Sequence, residues 1–250
     1  MWEARGTAPI LNSKIYIFNQ KSKIKNRKSL PRGCAMRRLA FIFILVIFCL
    51  TACAGNSNPT DTVEVEKLLS EGKAALEIEN SQRAVELLQE ARDLDPKNSE
   101  VLAELGRAYL WQNQLPDAIS ALEKALELDP NNTGVLINLG AVHYQQNEVD
   151  KAIELFERAR KLSPKDAEVL YNLGSAYAQR QQFDQAITIY HEAVAIDSKL
   201  SEPYFGLGTV YMVKGENAAA IEAFNQFLTL SENKDLRQRA QTMLTQLQNQ

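Results

Sequence analysis

A glycine returns every 34 residues, at Gly72, Gly106, Gly140, Gly174 and Gly208, and a fixed period of that length constrains a fold more than any other feature of this chain. Twelve residues after each glycine stands an alanine, at Ala84, Ala118, Ala152, Ala186 and Ala220. Each alanine is followed by a β-branched aliphatic side chain: Val85, Ile119, Ile153, Ile187 or Ile221. Pro96, Pro130 and Pro164 keep the same step, and the pattern runs through 65–234 without insertion. A unit this short cannot bury an apolar face alone, so successive copies must stack against one another.

Inside a unit the apolar spacing is helical. Leu170, Leu173, Gly174 and Tyr177 fall at i, i+3, i+4 and i+7, which is one face of a helix. Ala186, Ile187, Tyr190, Ala193 and Ile196 repeat that spacing and predict a second helix. The small residues leave room for two backbones to approach, and the larger ones fill the space between turns. Asp-Pro or Ser-Pro ends the second helix, because proline disfavours helix in the residue before it. Asn98, Asn131, Asn132 and Asp166 suit the turn and the cap of the next helix. Leu236, Ala240, Met243, Leu244 and Leu247 predict a last helix within 235–250 that covers the final apolar face.

This pattern resembles the tetratricopeptide repeat. The unit at 133–166 supplies Leu136, Leu139, Gly140, Ala152, Phe156, Ala159 and Pro164 at the signature positions and departs at His143, where Tyr is usual. The first unit has Glu71 and Ala75 in place of Leu and Tyr, and the fifth has Phe227 for Ala and Glu232 for Pro. Atypical end units are expected of a stack, since each has one neighbour. The resemblance implies an all-α fold: a right-handed superhelical solenoid of five helix-turn-helix units (65–98, 99–132, 133–166, 167–200 and 201–234) closed by the capping helix.

The amino-terminal part is different in kind. Leu39 to Ala54 is an uncharged, almost wholly apolar run preceded by Arg37 and Arg38, the layout of a secretory signal peptide. It is shorter than the roughly 20 residues a spanning helix needs. Leu50-Thr51-Ala52-Cys53 resembles the lipobox of bacterial lipoproteins, which implies that Cys53 is lipidated and becomes the first residue of the mature chain. An uncleaved anchor, or an ordinary signal peptide with a chance cysteine, is the other reading. Met36 suits the true start. The expected organisation is then 1–35 as an extension or a disordered basic leader, 36–52 as signal peptide, 53–63 as a lipid-anchored linker and 64–234 as repeats. Ala54 and Gly55 lack the Asp that retains some lipoproteins in the inner membrane, which favours the outer membrane, facing the periplasm, where the source has one.

Charge excludes one class of partner. The first 52 residues carry ten Lys or Arg and one acid, whereas from Cys53 onward there are 18 basic and 30 acidic residues, a net charge of 18 − 30 = −12. Nucleic-acid binding rests largely on clustered cations, so no nucleic-acid partner is expected. Cys34, Cys49 and Cys53 are the only cysteines, and His143 and His191 the only histidines. No catalytic motif, cofactor site or metal site is expected from that inventory. His143, on a core position, is read as packing, and His191 as surface.

Binding of a protein is the expectation that remains. In the family the first helices line a concave groove that holds an extended peptide or a helix. Its positions here bring together Leu69, Lys73, Leu76, Arg107, Trp111, Ile137, Asn138, Ala141, Tyr144, Tyr171, Asn172, Ser175, Phe205, Thr209 and Met212. Asn138 and Asn172 match positions where related repeats hold a peptide backbone. Glu168 stands where a member that clamps a terminal carboxylate would be basic, so that mode is not expected. Trp111, Tyr144 and Tyr171 are expected to form an exposed aromatic stripe. The first expectation is an adaptor or scaffold for an envelope assembly. The alternative is a structural lipoprotein that self-associates and takes no peptide.

Overall fold

The structure, a computed structural model, describes residues 59–249. The readings made on 1–58, including the signal peptide and Cys53, lie outside the described residues. Within them the chain forms helices only: α1 (Pro59–Glu77), α2 (Ser81–Leu94), α3 (Ser99–Trp111), α4 (Leu115–Leu128), α5 (Thr133–Gln145), α6 (Val149–Leu162), α7 (Ala167–Gln179), α8 (Phe183–Ile196), α9 (Glu202–Lys214), α10 (Asn217–Leu230) and α11 (Lys234–Gln248). Each odd-numbered helix from α1 to α9 packs most closely on the helix after it. Each second helix then packs on the first helix of the next unit, and neighbouring first helices also touch. This is a solenoid of helix pairs.

The repeated glycine sets how closely the two helices of a pair approach. A Cβ on Gly140 would stand 2.6 Å from the Phe156 ring, and one on Gly174 would stand 2.7 Å from the Tyr190 ring. Leu88, Leu122 and Phe224 fill the same place against Gly72, Gly106 and Gly208. The alanines twelve residues on are fully buried. Truncating one of these large, enclosed side chains leaves a cavity that costs about 3–5 kcal/mol for a ring.

The turn within each pair uses one residue of left-handed backbone: Glu79, Asn113, Asn147, Gln181 and Gly215, with φ of 61°, 58°, 62°, 63° and 78°. Only the last is glycine. The turn between pairs ends at a capping side chain, in which the oxygen of Asn98, Asn132 or Asp166 accepts from backbone N–H groups in the first turn of α3, α5 or α7. Asn131 does not cap; its own N–H donates to Asp129 at 3.2 Å.

Two readings are corrected here. Helix α1 begins at Pro59, inside the stretch read as linker, because proline at the first helical position is pre-set for helix and Asp61 favours the first turn. Ile196 lies outside the packed face of α8 and is exposed, as are Leu94, Leu128 and Leu162 at the same place in other units. At the carboxyl end α11 buries Ala240, Leu244 and Leu247 against Phe205, Phe224 and Phe227. Arg237 fastens it by donating to the Ser231 carbonyl at 2.7 Å and to that of Leu228.

Candidate binding groove

The first helices α1, α3, α5, α7 and α9 form an inner row in which each touches its neighbours in the row. That row carries the expected site residues, and the structure divides them by burial. Leu69, Leu76, Ile137, Ala141, Phe205 and Thr209 are packing residues. Phe205 lies 5.8 Å and 5.1 Å, ring to ring, from Phe224 and Phe227, and Thr209 donates to its carbonyl at 2.9 Å. Tyr171, Asn172 and Ser175 are enclosed, with Ser175 donating to the Tyr171 carbonyl at 2.9 Å and lying 3.1 Å from the Tyr190 hydroxyl. Lys73 on α1, Trp111 on α3 and Met212 on α9 are partly exposed.

The exposed aromatic stripe is not present. Tyr144 is 6% and Tyr171 4% exposed, and only Trp111 is half-buried. The cause is the closeness of the inner row: α5 packs on α3 and α7 as well as on α6, so rings at these positions are covered from both sides. Burial also raises the pKa of the Tyr144 hydroxyl, so it stays protonated.

Arg107, Asn138 and the polar ends of Trp111 and Tyr144 set the inner row apart. Arg107 is 9% and Asn138 5% exposed. Arg107 pairs with Glu104, yet its Nε has no hydrogen-bond partner among the described residues. The same is true of Trp111 Nε1, Asn138 Oδ1 and Tyr144 Oη. Such groups cost about 1–3 kcal/mol each while they lack a partner. Arg107 and Asn138 open onto a depression of about 490 Å³ between α3, α5 and the start of α7, whose walls include Glu100, Glu104, Asp129, Asn132, Thr133 and Asp166. Lys73 of α1 reaches across to pair with Glu100 at its edge.

Just beyond the depression, Glu168 in the first turn of α7 is partly buried. Burial first, and then the neighbouring carboxylates of Asp166, Glu202 and Asp197, push its pKa up to about 7.

Family models described as tetratricopeptide repeat match residues 69–133, 112–171, 145–199 and 201–234. The chain belongs to the tetratricopeptide-repeat family. No curated protein matches it. Among solved structures it is similar to MamA, at 27% identity and a TM-score of 0.57, over 66% of this chain and 96% of that one. It is also similar to TTC0263, a thermophilic repeat protein of Thermus thermophilus, at 20% identity and a TM-score of 0.63, over 72% and 99% of the two chains. A MamA fragment from Desulfovibrio magneticus RS-1 matches at 23% identity and a TM-score of 0.60, over 69% and 97%. The tetratricopeptide fold is that of a protein–protein interaction scaffold.

In this repeat protein the acidic rim escaped the sequence reading. Asp166 was legible as a cap, and only the stacking brings it together with Glu100, Glu104 and Asp129 around one depression. Both histidines stand where the sequence placed them. His143 is buried with Nδ1 2.6 Å from Glu148, the residue that precedes α6, and exposed His191 lies 2.9 Å from the Tyr211 hydroxyl. Among the described residues no cluster of His, Cys, Asp and Glu could hold a metal ion, and no helix is long and apolar enough to cross a membrane.

Proposed function

We propose that this repeat protein is an adaptor or scaffold tethered to the cell envelope through lipidated Cys53, and that it holds a segment of its partner along the inner row. The observation that carries the groove reading is the set of buried, unpartnered polar atoms on α3 and α5: Arg107 Nε, Trp111 Nε1, Asn138 Oδ1 and Tyr144 Oη. The second helices α2, α4, α6 and α10 contribute no atom of this kind. Donors and acceptors at intervals along a row suit an extended backbone, which offers both in alternation, and a half-buried indole offers contact area beside them. The tether rests on Cys53 and its lipobox-like surroundings alone. Two acyl chains hold a protein on a membrane stably where one is marginal.

Photo-crosslinking in cells tests the groove, with the reactive residue at Trp111 and a control at exposed Glu127 on α4. A discrete adduct at Trp111 alone supports the reading, and its mass identifies the partner. Equal adducts at both positions, or an adduct joining two copies of this chain, sink it in favour of self-association. Membrane fractionation of a Cys53→Ser variant tests the tether, which fails if the variant stays membrane-bound.

A further inference from the structure

The depression beside Arg107 and Asn138 has a chemistry that the groove reading does not use. Four carboxylates border it, from Glu100, Glu104, Asp129 and Asp166. Lys73 and Arg107 match the first two. Among the described residues no cation lies within ion-pairing distance of Asp129 or Asp166, nor of Glu168, Asp197 and Glu202 further along the same end of the inner row.

Acidic side chains at helix starts are common, because the positive end of the helix dipole favours them. That explanation does not extend to Glu168. Although it sits in the first turn of α7, burial first, and then the carboxylates of Asp166, Glu202 and Asp197, push its pKa up to about 7. Among the described residues no cation is paired with any of those three carboxylates. A second, independent feature points into the same place: the amide of Asn138, 5% exposed and lining the depression, has an oxygen with no hydrogen-bond partner. An acceptor without a donor, next to carboxylates without cations, defines the occupant by what it lacks.

We infer that the segment held in the groove is an extended peptide bearing Lys or Arg side chains, with its backbone N–H on Asn138 Oδ1 and its cations among Asp129, Asp166 and Glu168. This rests on the groove reading above. A second copy of this chain is a poor occupant, since the part after Cys53 carries 18 − 30 = −12 charges and would meet its like. A metal ion is also a poor occupant, because these carboxylates form no cluster that could ligate one. A cationic peptide answers both the acceptor and the charge. Its attraction acts at a distance, so it speeds encounter and weakens as salt rises.

Fluorescence anisotropy with the full chain tests this. The probes are fluorescein-labelled peptides on one Gly-Ser-Leu frame, differing only in whether Lys, Gln or Glu fills the variable positions. The groove variant is Asp129→Asn, Asp166→Asn and Glu168→Gln together. It keeps the fold's own chemistry, because Asn already caps α3 and α5 at the places equivalent to Asp166. The control, Glu123→Gln, Glu127→Gln and Glu154→Gln, removes at least as much charge from exposed sites on α4 and α6.

The Lys peptide should bind tightest, lose about tenfold in affinity to the groove variant and stay within about twofold for the control. Equal losses in both variants would show attraction to overall charge alone and overturn the inference. A Gln or Glu peptide that binds as tightly as the Lys peptide, and is released by Asn138→Leu, would overturn the inference and leave the groove reading standing. If Asn138→Leu changes the binding of none of the peptides, the groove reading falls and takes the inference with it. Helical circular dichroism for each variant separates lost binding from lost fold.

Discussion

Helices α5 and α6 belong to one unit, have similar lengths and pack on each other, yet they are built to different rules. On α5 every residue from Val135 to Tyr144 is buried, whereas α6 buries Ala152, Ile153, Leu155, Phe156 and Ala159 and leaves the other face to solvent. The inner helix is covered by α6 on one side and by α3 and α7 on two others, so its polar residues are enclosed too. Asn138 and His143 on α5, Asn172 and Ser175 on α7, Arg107 on α3 and Thr209 on α9 are all buried. The buried residues of α2, α4, α6, α8 and α10 are apolar apart from the Tyr190 hydroxyl. A buried polar group is costly unless it is hydrogen-bonded. Its confinement to one row separates the helices with apolar packed faces from those that carry the candidate groove.

That division can be broken most directly at Phe156, which is fully enclosed on α6 against Gly140. Phe156→Ala should destabilise the protein by about 4 kcal/mol in denaturant titrations while leaving the peptide affinity of the folded fraction unchanged. A loss of affinity without a loss of stability would place binding on the outer row. Asn138→Leu is the opposite case. It removes a buried acceptor that has no partner, so stability should hold or rise by about 1 kcal/mol even as binding is lost. A clear drop in stability would show that Asn138 serves the fold instead.

The smallest effect concerns pH. The folded pKa of Glu168, about 7, lies above its unfolded value, so the native state holds the extra proton between the two. Its contribution to stability is therefore fully present below the unfolded pKa and is lost as pH rises through about 7. Thermal unfolding of the protein should shift down across that window relative to Glu168→Gln, which has no proton to lose. Parallel curves for the two proteins would show that neither burial nor the neighbouring carboxylates hold the proton on Glu168.

What could be read in the sequence was what repeats. Gly140 and Phe156 recur in kind because every pair of helices meets at the same place, so helix pairing, stacking and the last helix were all legible from spacing. What could not be read depends on the approach of one unit to the next. Tyr144 and Tyr171 occupy positions that look outward from a single pair and are closed over only when α3, α5, α7 and α9 line up. The left-handed residues were hidden for a different reason. Glu79 and Gln181 are poor choices for positive φ, and the surrounding helix pair holds them there. The acidic rim is assembled from a helix end (Asp129), a cap (Asp166) and a first turn (Glu168), each ordinary where it stands in the chain.

One consequence follows from the order in which the helices meet. Among the described residues no helix makes substantial contact with another more than two places away along the chain, so no described contact ties the first unit to the last. Force applied at the two ends is passed from unit to unit in series, as along the coils of a spring. Such a body can lengthen by small changes at each junction, and under greater load can shed units from a terminus while the middle keeps its shape. Adding or removing one 34-residue unit would change its reach without redesigning its interior.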